Sequence, residues 1–453
     1  MILTNDTTRL ALTAACLASY GLVCLAPWLR HRRARAAAHA ARAAAGANPW
    51  IVAYASQTGN AEQLARQTSE TLRVAGIPSR MCEFDELEHH DLSSAERILF
   101  LTSTYGEGDA PDAAAGFVQR LMTRSGLQLQ HLHYAVLALG DSAYASFCGF
   151  GRALDAWLHG QGARPLFARV EVDRSNADSI AAWRKHLSHL VGTSDAPDWS
   201  APDFGNWRLA ERRLLNPGSA GAPIYHLELE PEQGPLPSWQ SGDLAQIAAP
   251  ADPERPREYS IASVPQDGRV HLLVRLHRHT DGSHGVVSGW LTQDAPLGAS
   301  VPLRLRAHRR FRLEENAQHP LILIGNGSGI AALRGHLRAR VAAGQTRNWL
   351  LFGERNAAHD SLYREELQGL QRDGMLKLDL AFSRDQAERI YVQDLLLREA
   401  TTLRAWVEQG AAIYVCGSLE GMAAGVDKAL QQVFTSTSMA ELARSGRYRR
   451  DVY

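Results

Sequence analysis

Trp50-Ile51-Val52-Ala53-Tyr54-Ala55-Ser56-Gln57-Thr58-Gly59-Asn60 reads as a strand that breaks into a loop at the start of a helix. Its first six residues are apolar or aromatic without alternation, the pattern of a strand covered on both faces. From Asn60 to Ala75 the residues Leu64, Thr68 and Leu72 fall on one helical face, and Gly76 supplies a stop. Between strand and helix, Ser56, Thr58, Gly59 and Asn60 offer hydroxyls and backbone N–H groups. A helix N-terminus furnished in this way binds a phosphate dianion without Lys or Arg. Such a cluster alone marks only a turn, so the wider pattern decides.

Two further segments repeat the arrangement. Ile98 to Leu101 is a continuous apolar run opening into Thr102 to Asp109, which contains Ser103, Thr104, Tyr105, Gly106 and Gly108. Ala135 to Leu139 opens into Gly140 to Phe147, which contains Asp141 and Tyr144. All three loops leave the carboxyl ends of strands, where an open α/β sheet binds its ligand. Tyr105 and Tyr144 are placed to stack on a flat ring, and glycines 106, 108 and 140 let the backbone come close to it.

Past a Pro/Asp/Ser/Trp-rich linker (Gly192 to Trp207) the periodicity changes. Tyr225 to Glu230 and Val270 to His277 alternate, as strands of an antiparallel barrel do. Arg257, Tyr259 and Ser260 offer in turn a cation, an aromatic face and a hydroxyl. Gly285-Val286-Val287-Ser288 offers N–H groups and a hydroxyl at a second helix start. A parallel-sheet pattern then returns. Leu321 to Ile324 leads into Gly325-Asn326-Gly327-Ser328-Gly329, which is not the G-x-G-x-x-G dinucleotide fingerprint. Ser383, Arg384 and Arg389 combine a hydroxyl with two cations, suited to a ribose 2′-phosphate; an NADH site would be expected to present an acid instead. Tyr391 can stack beside an adenine. Cys416 ends the apolar strand Ala412 to Val415, where a lone cysteine is usually an inert core residue.

The chain has 453 residues, enough for two or three domains, and a formal net charge of zero, which implies neither a nucleic-acid nor an acidic partner. Its five cysteines, Cys16, Cys24, Cys82, Cys148 and Cys416, form no C-x-x-C pair, so no metal centre is signalled. Leu10 to Leu29 carries no charge and is long enough to span a bilayer core of about 30 Å. Trp28 lies at its end and Arg30, Arg32, Arg33 and Arg35 follow, so a single-pass anchor in the inner membrane with cytoplasmic catalytic domains is expected. A cleaved signal peptide is the alternative, but its charge should precede the apolar run. Residues 34–47 read as a basic spacer near an anionic leaflet or as a solvated linker.

Taken together, these motifs resemble the NADPH-dependent diflavin reductase family, of the sulfite reductase flavoprotein and NADPH–cytochrome reductase type. The resemblance implies an α/β plus β-barrel fold: a flavodoxin-like doubly wound domain, then a ferredoxin–NADP reductase-like FAD barrel and an NADP-binding α/β domain. Boundaries follow as 1–47 (anchor and basic linker), 48–192 (FMN domain), 193–207 (linker), 208–315 (FAD barrel) and 316–453 (NADPH domain). FMN would be held by Ser56, Gln57, Thr58, Gly59, Asn60, Ser103, Thr104, Tyr105, Gly106, Gly108, Leu139, Gly140, Asp141, Tyr144 and Phe147, with Asp173 near its far rim. FAD would take Arg257, Tyr259, Ser260, His279 and Gly285 to Ser288. NADPH would take Gly327, Ser328, Gly329, Ser383, Arg384, Arg389, Tyr391 and Gln393. Ser260, Cys416, Asp451 and the terminal Tyr453 would carry catalysis, Tyr453 covering the flavin.

The implied activity moves electrons from NADPH to FAD to FMN to a membrane-associated haem protein or ferric chelate. A sulfite reductase component serving a separate haem subunit, and a non-catalytic flavin or nucleotide sensor, are the rival readings. Inside the resemblance, Ser328 replaces a usual threonine and Ala332 a usual proline. Only thirteen positions, Leu244 to Pro256, separate Gly242-Asp243 from Arg257. The family usually inserts a helical connecting domain here, which needs on the order of a hundred residues for its own core.

Overall fold

The computed structural model describes residues 49–124, 126–191, 204–279 and 281–453. They form two compact units, one around a single sheet and one around two. The expected membrane stretch at 10–29, the spacer at 34–47 and most of the 193–207 linker lie outside the described residues. Among the described residues no helix is long and apolar enough to cross a membrane. The inner-membrane assignment is therefore withdrawn; an uncharged run and its flanking arginines were its only basis.

The first unit is a parallel sheet of β1 (Trp50–Ala55), β2 (Ser79–Glu83), β3 (Arg97–Ser103), β4 (His133–Gly140), β5 (Arg164–Pro165) and β6 (Val170–Asp173). Its order is β2-β1-β3-β4-β5, with β6 also on β4. The order reverses between β1 and β3, so the loops leaving these two strands flank one crevice. Phe84, Phe100, Phe117 and Phe150 fill the core under one face, with Phe84 and Phe100 edge to face at 5.5 Å. On the helix Asn60–Val74 the predicted face of Leu64, Thr68 and Leu72 is buried. Thr68 accepts a hydrogen bond from Trp183 Nε1 at 3.1 Å, satisfying an indole that is fully buried.

The second unit opens with an antiparallel sheet of β7 (Gly205–Leu214), β8 (Ile224–Pro231), β9 (Leu244–Ala249), β10 (Asp252–Ser260), β11 (Val270–Arg275) and β12 (Ser300–Arg306). Its order is β10-β9-β12-β7-β8-β11. The chain leaving β10 reaches the opposite edge: Ile261 bridges Leu272, and the Ala262 N–H donates to the His271 carbonyl at 2.8 Å. β7 begins inside the stretch read as linker, because Trp207 is only 4% exposed and packs in the core of this sheet. The short passage before Arg257 is the β9–β10 hairpin, closed by Pro250 and Ala251.

The unit closes with a parallel sheet of β13 (Leu321–Asn326), β14 (Asn348–Glu354), β15 (Lys377–Phe382), β16 (Ala412–Gly417) and β17 (Tyr448–Val452), ordered β15-β14-β13-β16-β17. The order reverses between β13 and β16, so the glycine loop and Cys416-Gly417 face one another at the switch point. Arg334, on the helix Ile330–Ala342, ties the two sheets together. Its Nη1 donates to the Ala262 carbonyl at 2.7 Å and its Nε to Glu366 at 2.8 Å.

Candidate functional site

The three predicted loops leave the carboxyl ends of β1, β3 and β4, strands of the first unit's sheet. Gly59 sits at φ +90°, a left-handed turn that aims the chain into the helix Asn60–Val74. The Ser56 hydroxyl is buried and accepts from the Ala61 N–H at 3.2 Å, so it braces that helix start. The other two loops are pressed together: the Thr104 N–H donates to the Leu139 carbonyl at 2.9 Å. A Cβ on Gly108, at φ +120°, would lie 2.7 Å from the Ser146 Cβ. Thr104 Oγ1 is buried without a hydrogen-bond partner among the described residues, and Tyr144 is 44% exposed. A hydroxyl awaiting a partner and an uncovered aromatic face are what a phosphorylated flat ring requires. Two expected contacts are otherwise engaged. Asp173 holds Ser142, accepting from its N–H at 2.9 Å and its hydroxyl at 2.7 Å. Phe147 packs partly into the core, with Arg152 over its ring at 5.7 Å.

In the second unit two cavities meet. The first is lined by Leu244, Glu258, Tyr259, Ser260, Leu273, Arg275, His277, Arg278, Ser328, Asp451 and Tyr453. Long-range pairing builds its polar end. The Ser260 hydroxyl, at the end of β10, donates to Asp451 Oδ2 at 3.1 Å, and both residues are less than a tenth exposed. Asp451 is the register partner of Cys416 across β16 and β17, and the thiol lies 3.9 Å from the same carboxylate oxygen. Cys416 is fully buried and stands behind Asp451 instead of lining the cavity. Burial, and then the Asp451 charge, push its thiol well above the ordinary range, so it remains protonated at neutral pH.

Several flavin contacts expected from sequence lie elsewhere. Arg257 is exposed and does not line the cavity; Glu258 beside it does. His279 is exposed with its ring against His277, and it is His277 and Arg278 that reach the wall. Gly285 caps the helix Val286–Gly289, but the Ser288 hydroxyl is taken up locally by the His277 N–H at 3.2 Å. Sequence reasoning missed Arg275, which lines both cavities from the end of β11. Its signal was a cation in the alternating run Val270 to His277.

The second cavity, about 670 Å³, is walled by Asn326, Gly327, Ser328, Glu354, Ser383, Arg384, Tyr391, Gln393, Ser418 and Met422, with Arg275 and Tyr453 at the shared boundary. Ser383 is buried, Arg384 exposed, and Tyr391 is 40% exposed. Arg389 is exposed and does not line this wall. Asp385 turns away to cap Asn356 and Ala357 at 2.9 Å, leaving the cation beside it to face the cavity. Tyr453 is held by its backbone, its N–H donating to the Gly417 carbonyl at 3.1 Å and its carbonyl accepting from Leu419 at 2.9 Å. Its hydroxyl donates to Ser328 Oγ at 3.1 Å while its ring is 54% exposed. The terminal ring thus stands between the two cavities.

One cluster of the metal-ligand type occurs among the described residues: His226, Glu228 and His271, with ligand atoms within 4.8 Å. It is an ion-pair network in this fold. Arg269 donates to Glu228 at 3.0 Å, Tyr363 meets His226 Nδ1 at 2.8 Å, and Arg334 lies 3.3 Å from His271 Nδ1. Burial lowers both imidazoles, keeping them neutral.

The second unit thus presents two adjoining cavities, one with a buried carboxylate–hydroxyl pair and one with a hydroxyl and a guanidinium on its wall. Residues 52–184 match the flavodoxin family, and residues 323–428 match the oxidoreductase NAD-binding domain. The antiparallel sheet lies between these stretches. The chain is 27% identical over 544 positions to the sulfite reductase [NADPH] flavoprotein alpha-component of Vibrio cholerae, covering 91% of this chain and 88% of the relative. It is 28% identical over 534 positions to that of Neisseria meningitidis (88% of each), and 26% identical over 532 positions to that of Mannheimia succiniciproducens (88% and 89%).

The two domain matches and these relatives support a diflavin reductase, an oxidoreductase using FMN, FAD and NADPH. An alignment of 544 positions that uses 91% of a 453-residue chain sets on the order of a hundred residues of the relative against gaps, the size of a separate core. These relatives offer no support for a membrane-bound acceptor, and that part of the expectation is dropped with the anchor.

Proposed function

We propose that the chain draws reducing equivalents from NADPH and delivers them, through FAD and then FMN, to a haem protein. When bound, the flavins supply the step between a two-electron hydride donor and a one-electron acceptor. FMN would be held by the Ser56–Asn60 loop, Thr104, Tyr105, Gly106 and Tyr144. FAD would occupy the cavity of Tyr259, Ser260, Arg275, His277 and Arg278 within the antiparallel sheet, which we take as the FAD barrel. NADPH would occupy the cavity of Gly327 to Gly329, Ser383, Arg384 and Tyr391.

One observation carries this reading: Tyr453 borders both cavities, and the Ser260–Asp451 pair stands in the first beside it. Asp451 fixes the Ser260 hydroxyl and keeps its proton on Oγ, and the neutral Cys416 thiol backs the carboxylate without competing as a nucleophile. Tyr453 seals the boundary, and its hydroxyl donates to Ser328, a hydrogen bond that must release for it to swing. The relatives, as alpha-components of an NADPH sulfite reductase, favour an acceptor that is a separate protein subunit.

The test is NADPH-driven reduction of a haem-protein acceptor by the flavin-loaded chain and by Arg384→Ala. We expect the variant to raise the KM for NADPH about tenfold, the worth of a charge-assisted hydrogen bond, and to leave NADH almost untouched. Equal losses for both nucleotides would remove the phosphate site; no haem reduction would remove the acceptor.

A further inference from the structure

The nucleotide cavity contains an acid that the NADPH reading does not use. Strand β14 lies beside β13, the strand that opens into the glycine loop, and Glu354 is its last residue. In doubly wound nucleotide folds an acid some twenty residues past the glycine loop receives the ribose 2′-hydroxyl. Glu354 stands directly beside the proposed phosphate grip. The Ser383 N–H donates to the Glu354 carbonyl at 2.9 Å, and the Arg384 N–H to the Arg355 carbonyl at 2.8 Å.

The Glu354 side chain is 8% exposed and lines the cavity. Among the described residues its Oε1 has no hydrogen-bond partner, and the Arg275 guanidinium nitrogen is 3.8 Å away, outside hydrogen-bond reach. Oε2 accepts from the neighbouring Arg355 N–H at 3.2 Å. A buried carboxylate oxygen without a donor is costly, and a ligand hydroxyl would remove that cost. Oε1 also lies 3.6 Å from where a Cβ on Gly327 would be, so it faces the loop that receives the nucleotide.

We propose that Glu354 is a specificity-determining residue whose carboxylate accepts the adenosine ribose 2′-hydroxyl, so that this cavity takes NADH as a second hydride donor. The inference rests on the NADPH reading of the same cavity. Two chemistries are then side by side: Ser383 and Arg384 for a 2′-phosphate, Glu354 for a 2′-hydroxyl. An ionised Glu354 repels the phosphate and attracts the hydroxyl. Chiefly burial raises its carboxyl to about 7; Arg275 from the end of β11 and the adjacent Arg355 oppose this, and Asp360 from the helix Ala357–Asp360 adds to it. Raising pH through about 7 therefore ionises the group and shifts preference toward NADH.

The test titrates the flavin-loaded chain, by calorimetry, with ADP-ribose and with its 2′-phosphorylated form, alongside kcat/KM for NADH and NADPH. Glu354→Ala should weaken ADP-ribose about tenfold while leaving the phosphorylated form equal or tighter. Glu354→Gln, which keeps the shape and an acceptor but no charge, should lose less and flatten the pH dependence of the NADH/NADPH ratio. Equal changes for both ligands in both variants, or a pH dependence that survives in Glu354→Gln, would overturn the role of Glu354. Arg384→Ala, run in parallel, separates the two claims: if it fails to weaken the phosphorylated ligand, the NADPH reading falls whatever Glu354 does.

Discussion

Asp451→Ala is expected to slow flavin reduction by NADPH about a hundredfold, the cost of a reacting group displaced by an ångström or so. The reason is local and geometric. Asp451 Oδ2 accepts the Ser260 hydroxyl at 3.1 Å, and nothing else among the described contacts fixes that hydroxyl. Without the carboxylate, Ser260 turns, and a buried gap opens between β17 and the end of β10. Ser260→Ala removes the partner and not the charge, so its loss should be smaller. The double variant should lose little more than Asp451→Ala alone, because the two groups act as one unit. Cys416→Ala should cost least, since the thiol is a fully buried support behind the carboxylate. Stopped-flow absorbance on anaerobic, flavin-loaded protein measures all four. Additive losses, or an Asp451→Ala rate within twofold of the parent, would remove the pair from the reaction.

Gly329→Ala is expected to abolish nucleotide use and destabilise the second unit. The backbone angle is not the obstacle, since Gly329 has φ −59°, ordinary for any residue. The obstacle is space. A Cβ there would lie 2.2 Å from the Cys416 carbonyl oxygen and 2.7 Å from the Gly417 Cα, all of it backbone that cannot rotate away. Relief requires separating β13 from β16 at the switch point where the nucleotide would sit. Overpacking of this kind costs about 1–3 kcal/mol, and here the displacement falls on the ligand loop itself. Gly369→Ala is the control, because a Cβ at that helical position meets nothing within 4 Å. It should be neutral or stabilising by about 0.5–1 kcal/mol. Thermal unfolding and NADPH titration of both variants decide the matter; equal behaviour would contradict the close-packing argument.

The sequence showed the ends of strands well and the contacts between distant strands poorly. Trp50–Ala55, Ile98–Leu101 and Leu321–Ile324 are continuous apolar runs, so each strand and the loop leaving it could be placed from hydrophobicity alone. Ser260 and Asp451 lie 191 positions apart, and only the family resemblance brought them together; the structure supplies the bond. His277 and Arg278 were passed over in favour of His279 because side-chain direction after a strand end is set by the turn, which residue type does not encode. Asp173, expected near the far rim, and Phe147 have other engagements that residue type alone does not reveal. A carboxylate near a loop satisfies that loop's N–H groups first, and a phenyl ring beside a core is drawn into it. Glu354 is legible in the sequence as the acid ending the first apolar strand after the glycine loop. The N-terminal anchor rested on an uncharged run, Trp28 and the arginines after it, all of which lie outside the described residues.

The most direct measurement is the flavin content of the gently isolated chain, taken together with an anaerobic NADPH titration of its absorbance. FMN and FAD in equal amounts, both bleached by NADPH, is the predicted result. A single flavin species after attempts at reloading, or a half of the flavin absorbance that NADPH never bleaches, would contradict the relay.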